Sequence, residues 1–242
     1  MKPAPLVLTW LFAVQLMNTQ VTVGQTHPKT KHHIKIKSSV FPTLPKYAKR
    51  LEGFVPKGWK IKDTVTGDLN KDKVADAAII LECRHKVVEH GVETHPRILM
   101  IAFNAGNHYE LKLQHNAFIL PNSEIYEADP YRDITISNDG ALFIHFDLLH
   151  DGEDDLLYVI RYQMNDFYLT GATRKSRSNS GYERSSDFNF LTRKYVYKSS
   201  FPRGSGIARK KTRQKKLSPN VLKKLSELAE PLTWEVFDDE VI

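Results

Sequence analysis

The feature that most restricts this chain's fold is how its apolar residues are cut into short runs by turn formers. Ala77–Cys83 and Arg97–Phe103 are apolar enough to be central strands, and Asn104–Asn107 reads as a hairpin loop leading into His108–Gln114. Asp133–Ser137 and Ala141–Asp147 flank Asn138-Asp139-Gly140, and an Asp-Gly pair tolerates the positive φ that a tight hairpin needs. Leu156–Gln163 and Phe167–Thr173 pair around Met164–Asp166, and Asp187–Leu191 with Lys194–Tyr197 closes the series. A parallel sheet would need crossover helices between these runs, and the runs leave no room for them. The spacing predicts a mainly β fold over residues 53–200, an antiparallel meander forming a curled sheet or a sandwich. Short helices are expected on either side. One is a helical turn over Leu44–Leu51; the other begins at Ser218-Pro219, carries Leu222, Leu225 and Leu228 at helical spacing, and ends at Pro231. Trp234–Ile242 reads as one more strand or as an acidic tail.

Residues 1–24 read as a cleavable export signal. Lys2 is its only charge, Pro5–Met17 is apolar, and Thr22 and Gly24 are side chains small enough to precede a cleavage site. The apolar run is shorter than the ~20 residues of a bilayer span, so no stable membrane insertion is expected after cleavage. Localisation is therefore expected to be periplasmic or secreted. Cys83 is the only cysteine, which excludes an internal disulfide and leaves the hydrophobic core to hold the exported domain together. The formal charge is +7, and removal of Lys2 with the signal lowers it by one. Residues 25–52 are polar and basic and read as a partly disordered leader.

The most specific short motif is Gly67-Asp68-Leu69-Asn70-Lys71-Asp72-Lys73-Val74-Ala75-Asp76. Asp68, Asn70 and Asp72 alternate, so a curled loop can gather their oxygens, with the Val74 carbonyl and Asp76 completing a cage. Calcium takes six to eight oxygen ligands, and this loop supplies most of them. It is not an EF-hand, because Lys73 stands where that pattern has glycine and Ile79 where it has a bidentate Glu. The alternative is a turn whose Asp and Asn side chains bond their own backbone.

The string Gly-Asp-Leu-Asn-Lys-Asp-x-x-Ala-Asp before a strand resembles the FG-GAP or VCBS-type calcium loops of integrin-like proteins. Together with Val55–Trp59, Asp166–Ala172, Tyr182 and Asp187–Thr192, it looks like uncharacterised exported bacterial proteins that carry a single such loop. The resemblance spans about residues 54–198 and implies an envelope location and calcium as a cofactor; it implies no activity. One loop without a repeat period does not make a multi-blade propeller.

The catalytic candidates are weaker. His85, His90 and His95 near Cys83 match neither a Cys-x-x-Cys pair nor a His-Glu-x-x-His helix, and the segment reads as a solvated hairpin loop. Cys83 reads as a small core residue. His145, Asp147, His150, Asp151, Glu153, Asp154 and Asp155 form the densest polar cluster, and such neighbours can serve general acid–base chemistry. No Gly-x-Ser-x-Gly elbow or phosphate-binding glycine loop is present. Residues 201–217 read as a basic linker: Arg203–Lys216 holds seven cations and no acid, enough to attract a polyanion. The leading expectation is a non-enzymatic exported domain that binds or scaffolds an envelope component. A hydrolase of envelope material using residues 145–155, or polyanion binding through residues 203–216, is the alternative.

Overall fold

The computed structural model describes residues 36–37, 40–148, 152–203, 206–218, 222–237 and 240–242. The export signal, His150 and Asp151 lie outside them. Regular structure is almost wholly strand: β1 (Tyr47–Ala48), β2 (Trp59–Gly67), β3 (Asp76–Cys83), β4 (Val87–Glu89), β5 (Val92–His95), β6 (Arg97–Asn104), β7 (Tyr109–His115), β8 (Asn122–Ser123), β9 (Tyr131–Ile136), β10 (Ala141–Asp147), β11 (Gly152–Gln163), β12 (Asp166–Ser178), β13 (Glu183–Asn189), β14 (Lys194–Arg203), β15 (Gly206–Lys216), β16 (Lys223–Lys224), β17 (Glu235–Phe237) and β18 (Glu240–Val241). All pairings are antiparallel and no sheet closes into a barrel. The mainly β, sandwich-like class read from the sequence is therefore what the chain adopts.

The first large sheet has the order β1-β7-β6-β3-β2, and the second is a meander in the order β15-β14-β13-β12-β11-β10-β9. Two hairpins of the second sheet are fixed by their turns. Met164 and Asn165 have φ +51° and +60°, the left-handed pair that matches strand twist in a two-residue turn, and Gly140, at +77°, closes the three-residue turn Asn138–Gly140. Alternation on β10 shows the consequence: Leu142, Ile144 and Phe146 are buried, while Phe143, His145 and Asp147 face the other way.

Those inward side chains meet Ala78, Ile80, Leu99, Ile101, Phe103 and Leu113 of the first sheet in one core. The opposite face of the first sheet is covered too. Ala77, Ile79, Leu81, Cys83, Ile98, Met100 and Ala102 form a second core with Leu44 and Phe54, backed by Phe41, Ala48, Leu51 and Val55. This explains why every residue of β3 is buried, and why its sequence is apolar without alternation.

Three expectations are corrected. Residues 44–51 do not form a helical turn. They give β1 and then a short 3-10 turn at Leu51–Phe54, because Leu44 and Phe54 are drawn onto the first sheet and Gln114 binds the Leu44 N–H (3.0 Å) and the Pro42 carbonyl (2.7 Å). The later part of the presumed leader is thus ordered. The expected helix after Ser218 is reduced, within the described residues, to β16 and a 3-10 turn at Leu225–Glu227. Leu225 and Leu228 still point into the core, but an irregular segment brings them there. The basic linker is strand: β15 pairs with β14 from Arg203↔Gly206 to Lys194↔Lys216. The long strand β2 and the short β8 were not expected, and the hairpin loop read around His85, His90 and His95 carries the paired strands β4 and β5, turned at His90 and Gly91 with φ +53° and +82°.

Candidate functional site

The Asp68–Asp76 loop joins β2 to β3, and Leu69, 1% exposed, pins it into the main core. Lys71 and Lys73 take φ values of +67° and +70°, which curl the chain and turn successive N–H groups toward the acidic side chains. Asp68 accepts the N–H of Asp72 (3.1 Å) on Oδ1 and of Lys73 (2.9 Å) on Oδ2. Asn70 Oδ1 accepts the Asp72 N–H (2.9 Å), Asn70 Nδ2 donates to Asp72 Oδ2 (2.9 Å), and Asp72 Oδ1 accepts the Val74 N–H (2.7 Å). The structure thus brings Asp68, Asn70, Asp72 and Val74 together.

Asp76 is used differently. Fully buried, it accepts the N–H groups of Leu69 (3.1 Å) and Asn70 (3.3 Å) on Oδ2 and that of Asn104 (3.1 Å) on Oδ1. Burial pushes its carboxyl above the ordinary range, against the pull of those three donors. Its place is that of a clamp between the loop and the end of β6. Among the described residues no group of three or more His, Cys, Asp or Glu side chains has the arrangement to hold a metal by itself. Any cation here would depend on Asn70 and backbone oxygens beside Asp68 and Asp72.

The acidic cluster divides between two faces of the second sheet. Asp154 points inward and grips Arg174 with both oxygens (3.0 and 2.5 Å). His145, Asp147 and Asp155 share the outer face, as the pairs His145↔Leu157 and Asp147↔Asp155 require. His145 Nδ1 lies 2.5 Å from Asp133 Oδ1, and Arg132 reaches Asp147 (3.3 Å), Asp133 (3.4 Å) and Asp155 (3.9 Å). Burial, then a hydrogen bond with Asp147, raises the Asp155 carboxyl, so Asp155 holds a proton more readily than an isolated acid. Among the described residues, the bonds of this network join carboxylates, Arg132 and His145, and none of them involves a hydroxyl or thiol that could serve as a nucleophile. His95 Nδ1 meets the Cys83 carbonyl (3.0 Å), and Cys83 is buried in the second core, so these residues serve packing.

The same outer face carries what the sequence did not single out. Between β11 and β15 it curves into a groove of about 430 Å³, lined by Lys175, Arg177, Lys198 and Lys210 among others. Arg177 is engaged by Glu183 (2.9 Å) and Glu153 (3.6 Å). Beside the groove, β15 ends the sheet, and every residue from Arg209 to Lys216 is exposed. Lys175 and Lys198 were legible only as isolated cations in polar runs; what makes them neighbours is the register Lys175↔Ser185↔Lys198. No family model matches this chain, and neither a curated protein nor a solved structure matches it.

Proposed function

We propose that this chain is a non-enzymatic binding domain, exported by its first 24 residues, that holds a polyanion along β15 and the adjoining outer face. One observation carries the reading: Arg209, Lys210, Lys211, Arg213, Lys215 and Lys216 lie exposed on a sheet-edge strand that contains no acid. A flexible tail with this composition collects counterions loosely. A strand instead fixes the charges in two rows about 6.7 Å apart per repeat, so a bound polymer loses less freedom to each contact. The described part of the His145 network bonds carboxylates, Arg132 and His145 to one another, and gives hydrolysis no comparable support. The test is retention of inorganic polyphosphate by the full chain across a salt series. Binding should weaken steeply with salt, and the substitutions Arg209→Glu, Lys210→Glu, Lys211→Glu and Arg213→Glu made together should abolish it. Failure of the unaltered chain to bind polyphosphate at low salt would remove the reading.

A second reading concerns calcium at Asp68, Asn70, Asp72, Val74 and Asp76. Its support is Lys73, which occupies with φ +70° the sixth position of the loop, where calcium loops place glycine for a sharp turn. A site specific to the folded chain adds ~2.7 kcal/mol of stability at a hundredfold excess over its dissociation constant. Melts with calcium and with a chelator should therefore separate, and Asp72→Ala should merge them. Superimposed melts of the unaltered chain would reduce the loop to a self-bonded turn.

A further inference from the structure

We infer that the groove between β11 and β15 is a subsite for an acidic polysaccharide lying across the strands, in which charged sugars are separated by neutral ones; this rests on the polyanion reading above. The groove offers separated cations. Lys175, Lys198 and Lys210 are exposed and have no ion-pair partner among the described residues, whereas Arg177 is neutralised by Glu183 and Glu153. Register sets their spacing. Lys175 and Lys198 sit two strands apart on one cross-strand row, about 10 Å; Lys198 and Lys210 are one strand and two residues apart, about 8 Å.

Between the lysines the lining is hydroxylated. Ser185 lies between Lys175 and Lys198, Thr212 is paired with Lys198, and Ser200 is paired with Lys210. Hydroxyls both donate and accept, so they suit the neutral sugars of a chain whose acidic groups reach the lysines. Carboxylates stand among these cations: Asp155 is paired in register with Lys175, and Glu153 and Glu183 flank Arg177. Those carboxylates accept hydrogen bonds from sugar hydroxyls but repel a polymer charged at every unit. No aromatic side chain lines the groove, so nucleic-acid bases have nothing to stack on. Sparse charge and abundant hydroxyls are met here; dense phosphate is not.

The experiment is calorimetric titration of the full chain with hyaluronan oligosaccharides, in which carboxylated and neutral sugars alternate, and separately with inorganic polyphosphate. Each is repeated on Lys175→Ser/Lys198→Ser, which leaves β15 intact; both side chains are exposed, so an unchanged melting temperature confirms the fold. The expected result is a tenfold or greater loss of hyaluronan affinity with less than a threefold loss for polyphosphate. An equal loss for both ligands, or polyphosphate binding with no hyaluronan binding by the unaltered chain, overturns the polysaccharide subsite and leaves the polyanion reading standing. Absence of binding to either overturns both.

Discussion

Arg97 should be among the most costly residues to remove. Its side chain is 0% exposed, and it is held from three directions. Nε and Nη2 donate to Glu82 Oε2 (2.9 and 2.6 Å), Nη1 and Nη2 to the two oxygens of Asp129 (2.7 and 2.6 Å), and Nη1 to the Leu120 carbonyl (3.0 Å). Burial works against both carboxylates, yet Lys60 and Arg97 hold Glu82, and Arg97 and Lys62 hold Asp129, below their ordinary ranges. Arg97→Met fills much of the volume but strips the charge. Breaking one side of a buried pair costs about 3–5 kcal/mol. Lys60 (2.9 Å from Glu82) and Lys62 (3.0 Å from Asp129) remain as partners and favour the lower end of that range. At 2–4 °C per kcal/mol for a domain of this size, the melting temperature should fall by roughly 6–20 °C. Glu82→Gln and Asp129→Asn on the Met background should restore at least half of the loss in urea unfolding, since no unpaired buried charge is then left. A loss below about 1 kcal/mol for Arg97→Met, or no recovery in the triple variant, would refute the argument that the cost is an uncompensated charge.

Gly140→Ala should cost about 1–3 kcal/mol, because φ is +77° there and a Cβ would stand 2.7 Å from the Asp68 carbonyl oxygen. Gly91→Ala, at φ +82° with nothing within 4 Å, isolates the conformational part; equal losses in chemical denaturation would show that the contact with Asp68 does not matter. His115 accepts the Phe118 and Ala117 N–H groups on Nδ1 (3.0 and 3.2 Å), so its proton is on Nε2, donating to the carbonyls of Leu228 (2.9 Å) and Leu225 (3.1 Å). Burial lowers its pKa against those carbonyls, so the unfolded chain takes up the proton first. Its contribution is complete above the unfolded value of about 6.5 and is lost as pH falls toward the lowered folded value, with a slope of at most ~1.4 kcal/mol per pH unit. Urea unfolding between pH 7.5 and 5 should show a steeper decline for the unaltered chain than for His115→Gln; parallel declines would refute it.

The second sheet was readable because its determinants are local. Asp139-Gly140 and Met164-Asn165 fix two turns, and the runs beside them pair with their immediate neighbours. β15 was not readable, since Lys- and Arg-rich runs have no apolar alternation and low strand propensity. It becomes a strand because β14 offers it a ladder. Leu222, Leu225 and Leu228 mimicked a helix face, but the buried imidazole of His115 takes the carbonyls of Leu225 and Leu228, and that contact spans more than a hundred residues. At the loop, residue types and curl were legible in Asp68, Asn70 and Asp72. The role of Asp76 was not, because its partner Asn104 is contributed by β6. The groove was invisible for the same reason: cross-strand register, not sequence proximity, assembles it.

The last segment of the chain also sets an order of events. Trp234 lies against Phe190, Phe237 against Phe188 and Tyr195, and Glu240 binds Arg184, Ser186 and Tyr195. These contacts cover the inward side of β13 and β14 with residues that emerge from the ribosome after every strand of that sheet. During synthesis the meander can zip up hairpin by hairpin while one flank keeps its aromatic residues bare, and the final seal is long-range and late.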